Sequence, residues 1–281
     1  MALYQLNFES EYLGNNHTVS VIMPDRPKDT HAADFYGTGK KYKVLWLLHG
    51  TFGDHWDWVR KSMIEIYARE VNLIVVMPSG MNADYQNWSK FGIGYNMKDY
   101  LTKELMPLIY NWFPASDKRE DNFIAGLSMG SWGALGYTLD NPEKFAASAM
   151  LSACPRDPST IDWVGYENGT LDPVKDYRLI NQIDNAGGKD GWLKNQDYWT
   201  KFFDSFEKGI DLPKMYFCCG TADELVGEGY YHFKEECLKK NIPVSFHEIE
   251  GYAHEWRFWD KEIQNAFRFF GLTDKEYTDT F

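Results

Sequence analysis

Apolar residues recur along this chain in two alternating rhythms. Val44-Leu45-Trp46-Leu47-Leu48 and Leu73-Ile74-Val75-Val76-Met77 are unbroken apolar runs, the pattern of strands covered on both faces. The segment around Phe123-Ile124-Ala125, Ala146 to Leu151, Lys214 to Cys219 and Val244 to Ile249 read as further strands. Between the strands the period lengthens. Leu101, Leu105, Leu108, Ile109 and Trp112 recur at three- and four-residue spacing, predicting an amphipathic helix closed by Pro114. Helices are also predicted over Ile64 to Glu70, Ser131 to Leu139, Tyr230 to Lys240 and Trp256 to Phe270. Strands and helices alternating in this way predict an α/β fold, a mainly parallel central sheet with helices on both faces. Leu3 to Glu9 and Thr18 to Met23 alternate around a Gly14-Asn15-Asn16 turn, predicting an antiparallel edge.

One stretch breaks the rhythm. Between Cys154 and Pro213 the chain is polar and rich in Asp, Asn, Gly and Pro, yet it carries Trp163, Trp192, Trp199, Phe202, Phe203 and Phe206. A structureless loop of this length is uncommon inside a compact domain and is usually functional. The expectation is a single domain over residues 1–281, with an insertion at about 154–212 that serves as a lid or pocket wall. The polar segment from Pro24 to Lys41 is expected to be a loop.

Charge narrows the choice of partners. The formal net charge is -12, spread without blocks of like sign, so neither nucleic acid nor an anionic membrane is an expected partner. The apolar runs are too short to cross a bilayer. Met1 to Ser10 has no basic region followed by an apolar core, so no signal peptide is visible and a cytoplasmic location is expected. Cys154, Cys218, Cys219 and Cys237 lack metal-ligand spacing and are expected to be free thiols. The sequence is also compatible with a homo-oligomer.

The chemistry is concentrated in Gly126-Leu127-Ser128-Met129-Gly130, a G-x-S-x-G pentapeptide between an apolar run and a helical pattern. A buried strand that turns at once into a helix leaves the serine hydroxyl exposed at the tip, and the glycines let the two elements pass closely. A serine nucleophile needs a base, and the base needs an acid to orient it. His232, His247 and His254 follow the elbow. His232 falls in a helix and His247 within a strand, whereas His254 lies in a loop after a strand, where catalytic groups collect in open sheets. His254 is therefore the favoured base. Asp223 follows the Lys214 to Cys219 strand and is the favoured acid, with Glu224 its competitor. The amide of Met129 and that of Thr51, in the loop His49-Gly50-Thr51-Phe52-Gly53, are the candidate oxyanion donors. His49 precedes the serine and is expected to brace that loop. Phe52, Trp132 and Trp256 are expected to wall the pocket, with Trp163 or Trp192 above.

Taken together, Trp46 to Asp57, Asp117 to Asp121, Phe123 to Gly130, Gly220 to Asp223 and His254-Glu255-Trp256 resemble the esterase D-like α/β-hydrolases. That group includes tributyrin esterases and the feruloyl or acetylxylan esterases of carbohydrate esterase family 1. The resemblance implies an α/β-hydrolase fold and a cofactor-free serine esterase. Ser128, Asp223 and His254 stand at the triad positions, Thr51 and Met129 at the oxyanion positions. The implied substrates are small-molecule or carbohydrate esters of short or aromatic acids. An S-formylglutathione hydrolase is the nearest enzymatic alternative, and an inactive binding module the alternative from another class. Ser131-Trp132 departs from the usual glycine and smaller or tyrosine residue, so the pocket floor is expected to differ.

Overall fold

The computed structural model describes residues 1–27, 29–88 and 90–273. Its strands are β1 (Ala2–Ser10), β2 (Asn15–Met23), β3 (Val44–Leu48), β4 (Ile74–Pro78), β5 (Asn87–Trp88), β6 (Tyr95–Asn96), β7 (Asn122–Leu127), β8 (Ala147–Leu151), β9 (Lys214–Gly220) and β10 (Ser245–Ile249). Eight of them form one sheet in the order β1-β2-β4-β3-β7-β8-β9-β10, while β5 and β6 pair as a separate hairpin. From β4 to β10 every neighbouring pair in the large sheet is parallel. The leading β1 and β2 add the antiparallel edge.

The continuous apolar runs have a direct physical cause. Along β3, Val44, Trp46 and Leu48 face one core, shared with the Met129–Asp140 helix. Leu45 and Leu47 face the other, shared with Phe258, Ile263 and Phe267 of the Trp256–Phe269 helix. Side chains alternate across a strand, so a sheet covered on both sides needs apolar residues at every position. Register then sets the site. Leu48 pairs with Gly126 and Leu127 with Leu151, which brings the carboxyl ends of β3, β7 and β8 to one edge.

Some elements depart from the sequence expectation. The predicted Leu101 to Trp112 helix begins earlier, at Met97, and contains a π-helical stretch, Tyr100–Leu105, before the Met106–Trp112 segment. Pro107 sits at the start of that segment, and its missing N–H accounts for the break in the α pattern. The expected Pro24 to Lys41 loop holds a short helix, Ala32–Tyr36.

The 154–212 stretch is not structureless. It folds as the helices Trp163–Glu167, Tyr177–Ala186, Lys189–Gln196 and Tyr198–Glu207. Its Asp and Gly residues cap these helices. The Asp162 and Asp197 carboxylates accept from the Gly165 and Thr200 amides, and Gly187 closes a helix in the left-handed conformation. Trp192 is fully buried against Ile161 and Ile183, with Trp163 edge-on to it at 5.6 Å. Those two tryptophans, expected above the pocket, instead form a small core within the insertion. Phe202 and Phe203 tie its last helix to Phe217 of β9 and Phe233 of the main domain. Among the described residues no helix is long and apolar enough to cross a membrane.

Trp192→Ala should therefore empty the centre of the small core, lowering unfolding free energy by about 3–5 kcal/mol. Urea denaturation checks this; a loss below about 1 kcal/mol would mean that the insertion helices are held from outside.

Candidate active site

The site grows from a backbone contact. Ser128, between β7 and its helix, takes φ 50° and ψ -117°, a conformation that L-residues rarely adopt. Its amide donates to the Leu151 carbonyl, and its carbonyl accepts from Ser131 and Trp132. A Cβ at Gly126 would stand 2.2 Å from the Gly130 carbonyl oxygen, and one at Gly130 would stand 2.6 Å from the Leu48 and His49 carbonyl oxygens. Only glycine fits at either position, because strand, helix and the end of β3 meet there backbone to backbone.

Two later loops reach the serine. The Ser128 hydroxyl lies 2.9 Å from His254 Nε2, and His254 Nδ1 lies 2.8 Å from Asp223 Oδ2. The second oxygen of Asp223 accepts from the amides of Leu225 and Val226. Burial pushes the Asp223 carboxyl up. The His254 hydrogen bond and charge, with the two amides, outweigh burial and hold the carboxyl below its ordinary range. A charged carboxylate accepting from Nδ1–H leaves Nε2 free to accept the serine proton. Trp259 packs edge-on to His254 at 5.0 Å, and its indole N–H donates to Ser152 Oγ at 2.9 Å, fixing one side of the imidazole. Glu224 is exposed and turned to solvent. His232 pairs with Asp157, and His247 with Glu262.

The loop after β3 abuts the elbow. A Cβ on Gly50 would lie 2.5 Å from Leu127 Cδ1 and 3.4 Å from Ser128 Cβ, so Gly50, the residue before Thr51, packs against the elbow. Met129 opens its helix, and its amide has no partner within that helix. His49 accepts from the Gly80 amide at 2.7 Å on Nε2, which leaves the proton on Nδ1 to donate to the Gly50 carbonyl at 2.6 Å. Burial lowers its pKa and keeps it neutral. This imidazole joins the loops after β3 and β4.

Beside Thr51 opens a cavity of about 410 Å³. Phe52, Trp88, Phe91, Tyr95 and Tyr177 supply its aromatic walls. Arg178 and Gln182 enter from the Tyr177–Ala186 helix, one turn apart, and donate to Thr51 Oγ1 at 2.6 Å and Asp84 Oδ2 at 2.7 Å. Of the expected pocket residues only Phe52 lines this cavity. Trp132 packs edge-on to Tyr198, and Trp256 packs against Trp58 and Trp259 on the other side of the sheet. Both stand close to a site residue in sequence, yet neither lines the cavity beside Thr51. Asp84, Tyr95, Arg178 and Gln182 also line the cavity and carry no signal in the sequence, because the segments that hold them meet only in the fold. Among the described residues no three His, Cys, Asp or Glu side chains converge as a metal site.

A parallel sheet carrying a serine at a strand–helix elbow, approached by a later aspartate and then a histidine, defines the α/β-hydrolase class. The chain belongs to the Esterase family ("Putative esterase"), whose model matches residues 10–270. It is a carboxylesterase by fold and family. An acetyl esterase of Caldicellulosiruptor saccharolyticus is 31% identical, covering 95% of this chain and 97% of its own length. Two solved structures are similar at a TM-score of 0.74 each, both covering 96% of this chain and 98% of their own. They are the fluorophosphonate-binding serine hydrolase F (FphF) of Staphylococcus aureus, 28% identical, and the S-formylglutathione hydrolase (FrmB) of the same organism, 27% identical.

The electrostatics have a signature in stability. A depressed carboxyl pKa contributes stability above the ordinary value of 3.8, and that contribution is lost as pH falls through the lower folded-state value. Asp223→Asn should cost about 1 kcal/mol at pH 7 and progressively less below pH 4. Urea melts of both proteins at pH 7 and pH 3 measure this; a gap that widens in acid would contradict it.

Proposed function

We propose that Ser128, His254 and Asp223 are the catalytic triad of an esterase that removes short-chain or aromatic acyl groups, acetyl foremost, from carbohydrate hydroxyls. The pair of hydrogen bonds joining the three side chains carries this reading. Ser128 Oγ attacks the ester carbonyl as its proton passes to His254 Nε2. The imidazolium keeps its Nδ1–H on the ionised Asp223. The amides of Thr51 and Met129 stabilise the oxyanion. When the tetrahedral intermediate collapses, His254 returns the proton to the departing alkoxide, leaving an acyl-serine. Water, deprotonated by His254, then releases the acid and regenerates Ser128.

The cavity beside Thr51 supports the substrate class. Aromatic walls interleaved with Asn82, Asn181, Gln182 and Asn185 offer apolar faces together with paired donors and acceptors, the complement of a hydroxylated ring. The likeness to an acetyl esterase over nearly the whole chain favours a small acyl group.

The test is a panel of 4-nitrophenyl acetate, butyrate and dodecanoate, methyl ferulate, acetylated sugars and S-formylglutathione. Acetyl and butyryl esters should be cleaved at least about tenfold faster than dodecanoyl. Ser128→Ala should lower turnover by on the order of 10⁴-fold. Asp223→Asn should lower it strongly, and Glu224→Gln by less than about twofold. Faster dodecanoate cleavage, or the reverse ranking of the two acid variants, would overturn the reading. S-Formylglutathione as the best substrate would transfer the enzyme to the thioester class.

A further inference from the structure

Hydrogen bonds, more than burial, hold the chain at Thr51 and Phe52. Phe52 is 83% exposed and takes φ 62°, in the left-handed region that a phenylalanine seldom occupies. Such a backbone conformation persists only where its surroundings over-determine it. Some of the anchors are local. The Gly50 carbonyl accepts from His49 Nδ1 and from the Gly53 amide. In a trans peptide the N–H lies opposite the C=O, so these bonds turn the Thr51 amide away from them. That amide has no partner among the described residues. The next one is taken, since the Phe52 amide donates to Asn82 Oδ1 at 2.8 Å. Of the two, only the Thr51 amide is available to an oxyanion.

The last anchor comes from the insertion. Thr51 Oγ1 accepts from Arg178 Nη2 at 2.6 Å, and it is the one hydrogen-bond acceptor that this guanidinium reaches among the described residues. Arg178 stands at the start of the Tyr177–Ala186 helix, whose faces have separate tasks. Leu179, Ile183 and Ala186 pack into the small core around Trp192, whereas Arg178, Asn181, Gln182 and Asn185 line the cavity. Each set recurs at three- and four-residue spacing, so the apolar face, once buried, fixes where the polar face stands. One turn after Arg178, Gln182 secures the same helix to Asp84 at 2.7 Å.

We infer that Arg178 is a positioning residue for the reaction. By holding the Thr51 hydroxyl it keeps the Thr51 amide aimed at the ester oxyanion, so the insertion sets turnover as well as walling the cavity. This rests on the esterase reading above, with Thr51 as an oxyanion donor.

The kinetic consequence differs from that of a binding contact. An interaction that aligns an oxyanion donor counts in the transition state, so its loss lowers kcat and kcat/KM together and leaves KM alone. A guanidinium that gripped the substrate itself would act through KM and would not depend on the Thr51 hydroxyl.

The test is a double-mutant cycle on 4-nitrophenyl acetate. Arg178→Met and Thr51→Val should each lower kcat about fivefold with KM within about twofold, a smaller loss than deleting an oxyanion donor outright. The double variant should also be slowed about fivefold, whereas independent effects would multiply to about 25-fold. Thr51→Ser, which keeps the hydroxyl, should stay within about twofold of the wild type. Neither side chain is buried, so every variant should fold with an essentially unchanged melting temperature. Unchanged kcat in Arg178→Met, in a wild type whose hydrolysis depends on Ser128, overturns this inference alone. So would multiplicative losses in the double variant, a change confined to KM, or a Thr51→Ser enzyme as slow as Thr51→Val. A wild type that cleaves no ester, or hydrolysis that survives intact in Ser128→Ala, overturns the esterase reading itself.

Discussion

Everything at the site follows from one close backbone contact, where β7 turns into the Met129–Asp140 helix within a single residue. The strand, the helix and the end of β3 approach so closely that Gly126 and Gly130 admit no Cβ. The contact forces Ser128 into its unusual φ and ψ and presents its hydroxyl beyond the sheet edge. It also places the Met129 amide at the open end of a helix, and sets Gly50, hence Thr51, against the serine. The candidate nucleophile and the candidate oxyanion donors are thus positioned by a single packing constraint, held in turn by two buried cores.

Parallel register does the rest. Since β9 and β10 run in the same direction as β7, the loops after them open at the same edge and bring Asp223 and His254 to Ser128. The carboxylate stays ionised despite burial because the imidazole and two amides converge on it. The His49 imidazole fixes the loops after β3 and β4 to each other. The insertion fastens to the same two loops through Arg178 and Gln182. The wall of the cavity is therefore mechanically joined to the loop that carries Thr51, so substitutions in the insertion bear on both.

How much of this the sequence reveals depends on the range of the forces involved. The buried strands are legible because a two-sided environment acts on every residue in turn, as in Val44 to Leu48. The elbow is legible because its constraint acts within five consecutive residues. The insertion is not. Its short helices are specified by caps such as Asp162, Asp197 and Gly187, and these residues carry the same composition as a loop. The pocket is the least legible part. Trp132 and Trp256 adjoin the elbow and His254 in sequence but pack on Tyr198 and Trp58. Asp84 and Gln182 lie far apart in sequence and meet only in the folded chain.

The central claim is that the geometry at the elbow makes Ser128 nucleophilic. Its most direct test is reaction with a fluorophosphonate, in which serine oxygen bonds to phosphorus, fluoride leaves and His254 takes the proton. Intact-mass and peptide mass spectrometry should show one adduct, on the peptide carrying Ser128. Labelling should slow by on the order of 10³-fold or more in His254→Ala. An adduct on another serine, or equally fast labelling of Ser128 without His254, would contradict the account.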